Sequence, residues 1–435
     1  MELCVEKSTI DYLISFLFGK YNADMVVYSD APLNRLDAAV VIRPSAFFRL
    51  ESFGKKNSMP AVPLKEWHGI PILYGESRDF FESGKLVIEA DIVASSFFLM
   101  SRYEELINPD RDQYGRFPGR SSLPYRAGFI HRPIVEEYAQ ATINLALENG
   151  ITLQRPLQKD FSSVNLTHDI DVPWENFSIK QATRRIAGVL KREHRLDFFP
   201  IKNWAGYPSS DPRYTFEDII RLDTIVSGAN SIYFIKSGGT SYPADGFVYI
   251  KTKAAGRLIT RLKLSGAQIG YHASFEAGQH PNQISKELAC LRDVSGIEIS
   301  INRNHYLCSK EPRDFYTLVE NGIKEDYTMG YADIAGFRLG TCRPVRWISP
   351  YTGELTTLVL HPLTIMECTL SGKHYMNLQY AEMKEYSYQL IDTVYDLGGE
   401  ITLLWHNQSL MRGDIHRNLY VEILHYIANK SVRNN

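Results

Sequence analysis

The alternation of strand-like and helix-like segments constrains the fold of this chain more than any other feature of its sequence. From about residue 160 to the C-terminus, short apolar runs are separated by stretches with helical periodicity. Strands and helices that alternate in this way form parallel βαβ units. The pattern predicts a (β/α) barrel or a doubly wound sheet, between which periodicity does not decide. The predicted strands are the runs 164–166, 231–235, 268–271, 297–301, 336–338, 357–360 and 401–405.

The length of the chain indicates a second domain. A chain of 435 residues is long for one ordinary core, so two domains are expected. Up to about residue 155, short β-type runs mix with helical segments, and the polar stretch 154–160 then follows an Asn-Gly pair that closes a helix. We therefore predict a smaller α/β domain over residues 1–157 and a second domain over residues 158–435.

Composition and charge exclude several classes of protein. Hydrophobic residues make up 44% and charged residues 23% of the chain, which is typical of soluble globular proteins. The net charge of −2 and the lack of a long basic block argue against nucleic acid or an anionic membrane as a partner. Five scattered cysteines without a CxxC pair indicate reduced thiols. The N-terminus lacks a secretory signal, and the longest uncharged apolar stretch, 92–100, is about half of a ~20-residue span. We expect a cytoplasmic protein without membrane insertion.

Two carboxylates follow the first predicted strand directly. Asp169 and Asp171 lie in the sequence Thr-His-Asp-Ile-Asp, at the position where barrel enzymes carry their sites. Carboxylates two residues apart can serve one centre, with one as a metal ligand and the other as a base. The alternative is an Asx turn that caps the strand.

A histidine and a glutamate follow the third predicted strand. His272 and Glu276 are four residues apart and share a face if the chain turns into a helix there. Imidazole and carboxylate are ordinary ligands of a divalent ion such as zinc. A surface pair without a ligand is the alternative interpretation.

Further polar or aromatic residues lie near the ends of the remaining predicted strands. One such residue alone is often a surface, core or capping residue, but several at one rim form the set that metal-assisted hydrolysis requires, namely ligands, a base and an acid. A fixed cation such as Arg338 could also hold a carboxylate in its ionised form. These residues are Arg303, His305, Asp333, Arg338, Glu367, Trp405 and His406.

The order of these motifs resembles the NodB-type polysaccharide deacetylases of carbohydrate esterase family four. The resemblance implies an irregular seven-stranded (β/α) barrel. It places Asp169 in the position of the catalytic base and Asp171 and His272 in those of two metal ligands. Glu276 stands where the family has a second histidine, and Ile170 splits the aspartate pair.

The later motifs extend the resemblance. Arg338, in GFRLGTCRP, corresponds to the arginine that orients the base. His406, two residues after Leu404, corresponds to the catalytic histidine, and Glu367 to its acidic partner. The whole series is most similar to a divergent bacterial branch with an extra N-terminal domain, which the segments SRYEEL, DQYGRF and HRPIVEEY resemble.

The resemblance implies a carbohydrate deacetylase, a hydrolase acting on a C–N bond that is not a peptide bond. It would remove an N-acetyl or other acyl group from a sugar or polysaccharide precursor, using zinc, cobalt or another divalent ion. The alternatives are a non-catalytic glycan-binding homologue and a metal-independent amidohydrolase of the same superfamily. A glycosidase ranks lowest, because it needs two carboxylates ~5 to 10 Å apart across a sugar. The implied residues are Asp171, His272 and Glu276 for the metal, Asp169, His406, Arg338 and Glu367 for catalysis, and Arg303, His305, Trp405 and Asp333 for the substrate.

Overall fold

The structure is a computed structural model that describes residues 4–153, 159–174, 179–194, 196, 211–241, 243–246 and 248–432. The boundary predicted near residue 158, and most of the polar stretch 154–160, lie outside these ranges. The strands are β1 (Val26–Tyr28), β2 (Val40–Ile42), β3 (Lys65–Trp67), β4 (Ile70–Ile72), β5 (Gly75–Glu82), β6 (Lys85–Ala90), β7 (Ser163–Ile170), β8 (Asn230–Ile235), β9 (Gln268–Ala273), β10 (Ile301–Asn304), β11 (Glu325–Met329), β12 (Val345–Ile348), β13 (Leu355–Pro362), β14 (Ile365–Met366) and β15 (Glu400–Leu404). The helices are α1 (Lys7–Phe18), α2 (Ile92–Met100), α3 (Tyr103–Ile107), α4 (Leu123–Arg126), α5 (Ile134–Glu148), α6 (Ile179–Glu193), α7 (Phe216–Asp223), α8 (Lys253–Leu264), α9 (Phe275–Gln279), α10 (Asn282–Ser295), α11 (Arg313–Glu320), α12 (Glu367–Ser371), α13 (Tyr380–Asp396) and α14 (Ile415–Val432).

The chain divides into two compact units, and neither is one continuous segment. The first unit consists of Met1–Ser162, Met329–Thr364 and Asp392–Glu400. The second unit consists of Ser163–Thr328, Ile365–Ile391 and Ile401–Asn435. The first division lies close to the predicted boundary, but two later segments also belong to the first unit, which the sequence-based division at residue 158 does not anticipate.

The first unit contains a mixed four-stranded sheet in the order β1-β2-β6-β5. Strands β1, β2 and β6 are parallel, and β5 is antiparallel to β6. The uncharged stretch 92–100 forms α2, a helix in which every residue is buried and whose first turn is capped by the Asp91 side chain. Within the described ranges, no helix combines the length and hydropathy that crossing a lipid bilayer requires.

The second unit is built on neighbouring strands of one sheet with helices between them. Seven described strands of this sheet lie in the unit, in the order β11-β10-β9-β8-β7-β15-β14. The pairs from β11 to β7 are parallel, as is the pair β14 and β15. The carboxyl ends of neighbouring parallel strands meet at one edge, so residues that follow them are brought together. The mixed α/β class agrees with the prediction, and closure into a seven-stranded barrel stays a prediction.

A contact across the sheet shows that it curls. Arg303 on β10 and Asp169 on β7 are separated by three strand spacings of ~4.8 Å, which amount to about 14 Å in a flat sheet. Nevertheless, Nη1 of Arg303 lies 2.9 Å from Oδ1 of Asp169. The face that carries both side chains is therefore concave.

The predicted strand pattern differs from the structure in several places. Strands β11, β12 and β14 were not predicted, and the predicted run 297–301 overlaps β10 only at Ile301. The run 336–338 is not a strand, because a Cβ at Gly336 would lie 2.5 Å from the carbonyl oxygen of Ile130 and the chain turns at Gly340 with a φ of 64°. The sequence pattern did not predict strand β11, because this strand begins with two acidic residues, Glu325 and Asp326, and lacks a run of apolar residues. Asp326 is nevertheless buried, and its Oδ2 accepts hydrogen bonds from an Asn302 amide at 2.7 Å and a Thr328 hydroxyl at 2.9 Å.

An apolar cluster packs between the central strands of the second unit. It consists of Ile232, Phe234, Ile301 and Tyr327. Strand β9 has a glycine, Gly270, beside this cluster, because a Cβ at that position would lie 2.5 Å from the ring of Phe234. The cluster therefore packs against the strands whose ends carry the polar residues.

We expect Ile232→Ala to lower the free energy of unfolding by about 2 to 5 kcal/mol, because it removes a fully buried side chain from this cluster. Urea denaturation measures the change. Leu264→Ala is the matched control, since that side chain is 80% exposed and its loss is expected to change stability by no more than about 0.5 kcal/mol. Equal losses in the two variants would contradict the role assigned to the cluster.

Candidate active site

Three potential metal ligands converge at the carboxyl edge of the sheet in the second unit. Asp171 follows β7, His272 lies near the end of β9, and His305 follows β10. One ligand atom from each lies within 4.8 Å of the others. Oδ1 of Asp171 is 3.2 Å from Nε2 of His272 and 3.3 Å from Nε2 of His305. One carboxylate and two imidazoles are a donor set that suits zinc.

Two of these atoms are buried without a hydrogen-bond partner among the described residues. They are Oδ1 of Asp171 and Nε2 of His272. Buried polar atoms of this kind are rare, because leaving them without a partner costs free energy. The unpartnered atoms face one another across the cluster, so the donor set fits a bound cation.

Hydrogen bonds from outside the cluster orient both histidines. Nδ1 of His272 lies 2.9 Å from the carbonyl oxygen of Arg303, so it must donate, and Nε2 is the ring nitrogen that faces the cluster. Nδ1 of His305 lies 3.3 Å from Oδ1 of Asp245, which is fully buried and also accepts from the N–H groups of Phe275 and Glu276. Such partners fix the ring orientation of metal-binding histidines.

Asp171 is ionised in this surrounding. Burial alone would raise the pKa of its carboxyl group. The imidazoles of His305 and His272 outweigh this effect, and they hold the pKa of Asp171 well below its usual range. The carboxylate is therefore available as an anionic ligand at neutral pH.

Asp169 is held in place by a buried arginine. Its Oδ1 accepts a hydrogen bond of 2.9 Å from Arg303, whose guanidinium group also donates to the Thr167 hydroxyl and the Tyr327 carbonyl. The guanidinium group lies 4.4 Å from the centre of the Phe234 ring. The other oxygen of Asp169 lies 3.6 Å from Nε2 of His272, so it faces the cluster.

A histidine and glutamate pair lies on the other side of Asp171. Nδ1 of His406 is 2.8 Å from Oε1 of Glu367, and Nε2 of His406 is 3.7 Å from Oδ2 of Asp171. Burial alone would lower the pKa of His406, but the Glu367 carboxylate raises it well above its usual value. Burial alone would raise the pKa of Glu367, but the His406 charge lowers it to about 2. His406 is therefore an imidazolium ion at neutral pH.

The structure places two predicted site residues elsewhere. Arg338 belongs to the first unit, where it donates to both carboxylate oxygens of Glu105 at 2.9 and 2.7 Å. The guanidinium group beside Asp169 belongs to Arg303 instead. Glu276 accepts hydrogen bonds from the N–H and hydroxyl groups of Thr240 at 2.5 and 2.6 Å. Its carboxylate is not part of the ligand cluster, where His305 supplies the third donor.

Two of the residues predicted to bind substrate have structural contacts. Asp333 lies in the first unit, and its carboxylate accepts hydrogen bonds from the N–H groups of Gly119 and Arg120. Trp405 is fully buried, with its indole N–H 3.1 Å from the carbonyl oxygen of His416 and its ring beside Tyr420. The Asp333 carboxylate therefore binds backbone N–H groups of a loop in the first unit, and Trp405 packs in the core of the second unit.

Sequence reasoning missed Asp245. This residue lies in the segment between β8 and α8, and it belongs to none of the quoted motifs. Strand β8 is the predicted strand for which no site residue had been assigned. A search for acidic residues after each strand could therefore have found Asp245, although its partner His305 could not be inferred from spacing.

Comparison with known proteins gives one match to a family model. Residues 11–149 match a family of unknown function, DUF7033. No curated protein sequence matches the chain.

Comparison with solved structures gives matches that include three proteins. A candidate polysaccharide deacetylase from Mycobacterium smegmatis is 14% identical, over 64% of this chain and 88% of that chain, with a TM-score of 0.42. The chitin deacetylase from Colletotrichum lindemuthianum is 12% identical, over 62% and 85%, with a TM-score of 0.32. A CE4 family pseudoenzyme from Bacillus anthracis is 10% identical, over 64% and 63%, with a TM-score of 0.30. The chain is thus similar both to proteins named as deacetylases and to one named as a pseudoenzyme.

Proposed function

We propose that this chain is a metal-dependent hydrolase that removes an N-acetyl or another acyl group from a sugar or polysaccharide precursor. The observation that carries the proposal is the convergence of three ligand-type side chains, two of them with unpartnered buried atoms, between an aspartate and an imidazolium ion. Acyl transfer to water needs this combination of a Lewis acid, a base and an acid. The carbohydrate substrate follows from the resemblance of the sequence motifs to the NodB-type deacetylases.

The metal ligands in this proposal are Asp171, His272 and His305. His305 replaces Glu276 in the proposed ligand set. The Glu276 carboxylate accepts hydrogen bonds from Thr240, whereas Nε2 of His305 lies 3.3 Å from Oδ1 of Asp171. A divalent ion, with zinc as the first candidate, supplies Lewis-acid polarisation of an acyl carbonyl and lowers the pKa of water. Asp245 and the Arg303 carbonyl keep the two imidazoles in the orientation that binding requires.

Asp169 is the proposed base. Arg303 fixes one of its oxygens, and the other oxygen faces His272 and the ligand cluster. An attacking water between Asp169 and the acyl carbonyl would give its proton to that free oxygen. The buried salt bridge keeps the carboxylate from rotating away.

His406 is the proposed acid. Its raised pKa keeps a proton on the ring at neutral pH, and Glu367 holds that ring through Nδ1. Nε2 then faces Asp171, on the side opposite to Glu367. The side chains of His406 and Asp171 remain 15% and 19% exposed, so a substrate can reach this side of the cluster. Proton transfer from Nε2 would release the amine of the sugar.

We expect His272→Ala and His305→Ala to lose bound zinc, since a site with three protein ligands rarely survives on two. Glu276→Ala is the matched comparison, and it should keep the wild-type metal content because its carboxylate bonds to Thr240. Metal analysis of the purified, folded proteins measures the difference. Loss of zinc in Glu276→Ala with retention in His305→Ala would restore the ligand set that the sequence motifs predicted.

We expect Asp169→Asn to lower kcat by about 10²- to 10⁴-fold, because an amide keeps the shape of the side chain but cannot accept the proton. Release of acetate from N-acetylated sugars and oligosaccharides is measured for wild type and variant, each supplied with zinc or cobalt. Equal rates would remove Asp169 from the mechanism. Binding of glycans by the wild type without acetate release from any of them would favour a non-catalytic glycan-binding protein.

We expect the loss of activity at high pH to move to lower pH in Glu367→Gln. Activity requires protonated His406, so the rate falls as the pH rises through the pKa of this group. The Glu367 charge raises that pKa, and the neutral amide removes the charge. The rate profile against pH tests this, with Glu422→Gln as a control on a surface pair with Lys384. An unchanged alkaline limb in Glu367→Gln would exclude His406 as the acid.

A further inference from the structure

A second group of ligand-type side chains lies beside the proposed acid. It consists of Glu367, Cys368 and His406, and one ligand atom of each lies within 4.8 Å of the others. Sγ of Cys368 is 3.5 Å from Oε1 of Glu367 and 3.8 Å from Nδ1 of His406. The thiol has no part in the proposed hydrolysis, so its position calls for a separate explanation.

Glu367 has an oxygen that this group leaves unused. Its Oε1 accepts from both the N–H and the Nδ1 of His406, whereas Oε2 is buried without a hydrogen-bond partner among the described residues. The side chain is completely buried, so water does not satisfy this oxygen cheaply. The carboxylate that carries this unpartnered oxygen contacts both the thiol and the imidazole through Oε1.

The three donors select a particular kind of cation. Thiolate sulfur and imidazole nitrogen bind thiophilic ions such as Zn²⁺, whereas Mg²⁺ and Ca²⁺ prefer oxygen ligands. Cys368 and His406 each keep part of their surface accessible, which gives an ion a route to the group.

We propose that Glu367, Cys368 and His406 form a second site, which takes a thiophilic divalent ion such as Zn²⁺ or Cd²⁺ and inhibits the protein when occupied. On binding, the Cys368 S–H bond breaks, a sulfur–metal bond forms, and the proton passes to solvent. Nδ1 of His406 likewise gives up its proton and becomes a ligand. No oxidant or reductant is involved.

Inhibition follows from the loss of the acid, and this step rests on the proposed function. An ion on Nδ1 replaces the hydrogen bond from His406 to Glu367, so the imidazole no longer carries the charge that the glutamate stabilises. His406 then has no second proton to give to a departing amine. Excess zinc would therefore inhibit the zinc-loaded protein.

Cadmium titration of the zinc-loaded, full-length protein tests the site directly. The ultraviolet absorption of a cadmium–thiolate bond reports sulfur ligation, and the first cluster cannot produce it because it contains no cysteine. We expect one such bond per chain in the wild type and none in Cys368→Ser. Cys290→Ser is the matched control, since Cys290 is also a partly exposed free thiol, and it should retain the absorption band.

Activity provides the second measurement. Wild type and Cys290→Ser should lose acetate release as the band develops. Cys368→Ser, with inhibition measured relative to its own rate without cadmium, should require at least tenfold more cadmium for the same fractional inhibition. A band that persists in Cys368→Ser, or its absence from the wild type, would overturn the second site. If no acetate is released by any protein, the proposed hydrolase fails, while the cadmium band still decides whether the second site exists.

Discussion

The candidate site depends on the buried salt bridge between the Arg303 guanidinium group and the Asp169 carboxylate. A fully buried cation is costly unless its charge and its N–H groups are satisfied, and breaking one partner of such a pair leaves an uncompensated charge. The charge of Arg303 is met by Asp169, and its Nε and Nη1 donate to Asp169, the Thr167 hydroxyl and the Tyr327 carbonyl, which belong to strands β7 and β11. Its Nη2 is buried without a hydrogen-bond partner among the described residues. Its own carbonyl receives the N–H of His272. Arg303 thus contacts both Asp169, the proposed base, and His272, a proposed metal ligand.

The positions of the site residues along the chain could largely be predicted, but their partners could not. Polar residues directly after apolar runs pointed to Asp171, His272 and His406, because parallel strands end at a common edge. The sheet curls, so side chains of β10 reach those of β7. This curvature determines which guanidinium group forms the salt bridge with Asp169. For that reason the sequence motif indicated Arg338, whereas the concave face presents Arg303.

The same limit applies to the strands. The apolar runs correctly predicted strands β7, β8 and β9, because the residues of these strands are buried on both faces of the sheet. Strand β11 begins with two acidic residues, and hydrogen bonds from Asn302 on the neighbouring strand and from Thr328 explain why Asp326 can be buried. The third proposed metal ligand is another example. A helical offset predicted Glu276, whereas the end of a neighbouring strand places His305 beside Asp171 and His272.

The interleaved composition of the two units bears on how this protein can be dissected. A fragment that starts at Ser163, where the second unit begins, would retain Met329–Thr364 and Asp392–Glu400 of the first unit but lose Met1–Ser162. Arg338 would then be separated from Glu105, and the Arg343 guanidinium from the buried carboxylate of Glu136. Both guanidinium groups would lose the carboxylates that neutralise their charge in the intact chain. A single cut near this position therefore separates charged partners that both belong to the first unit.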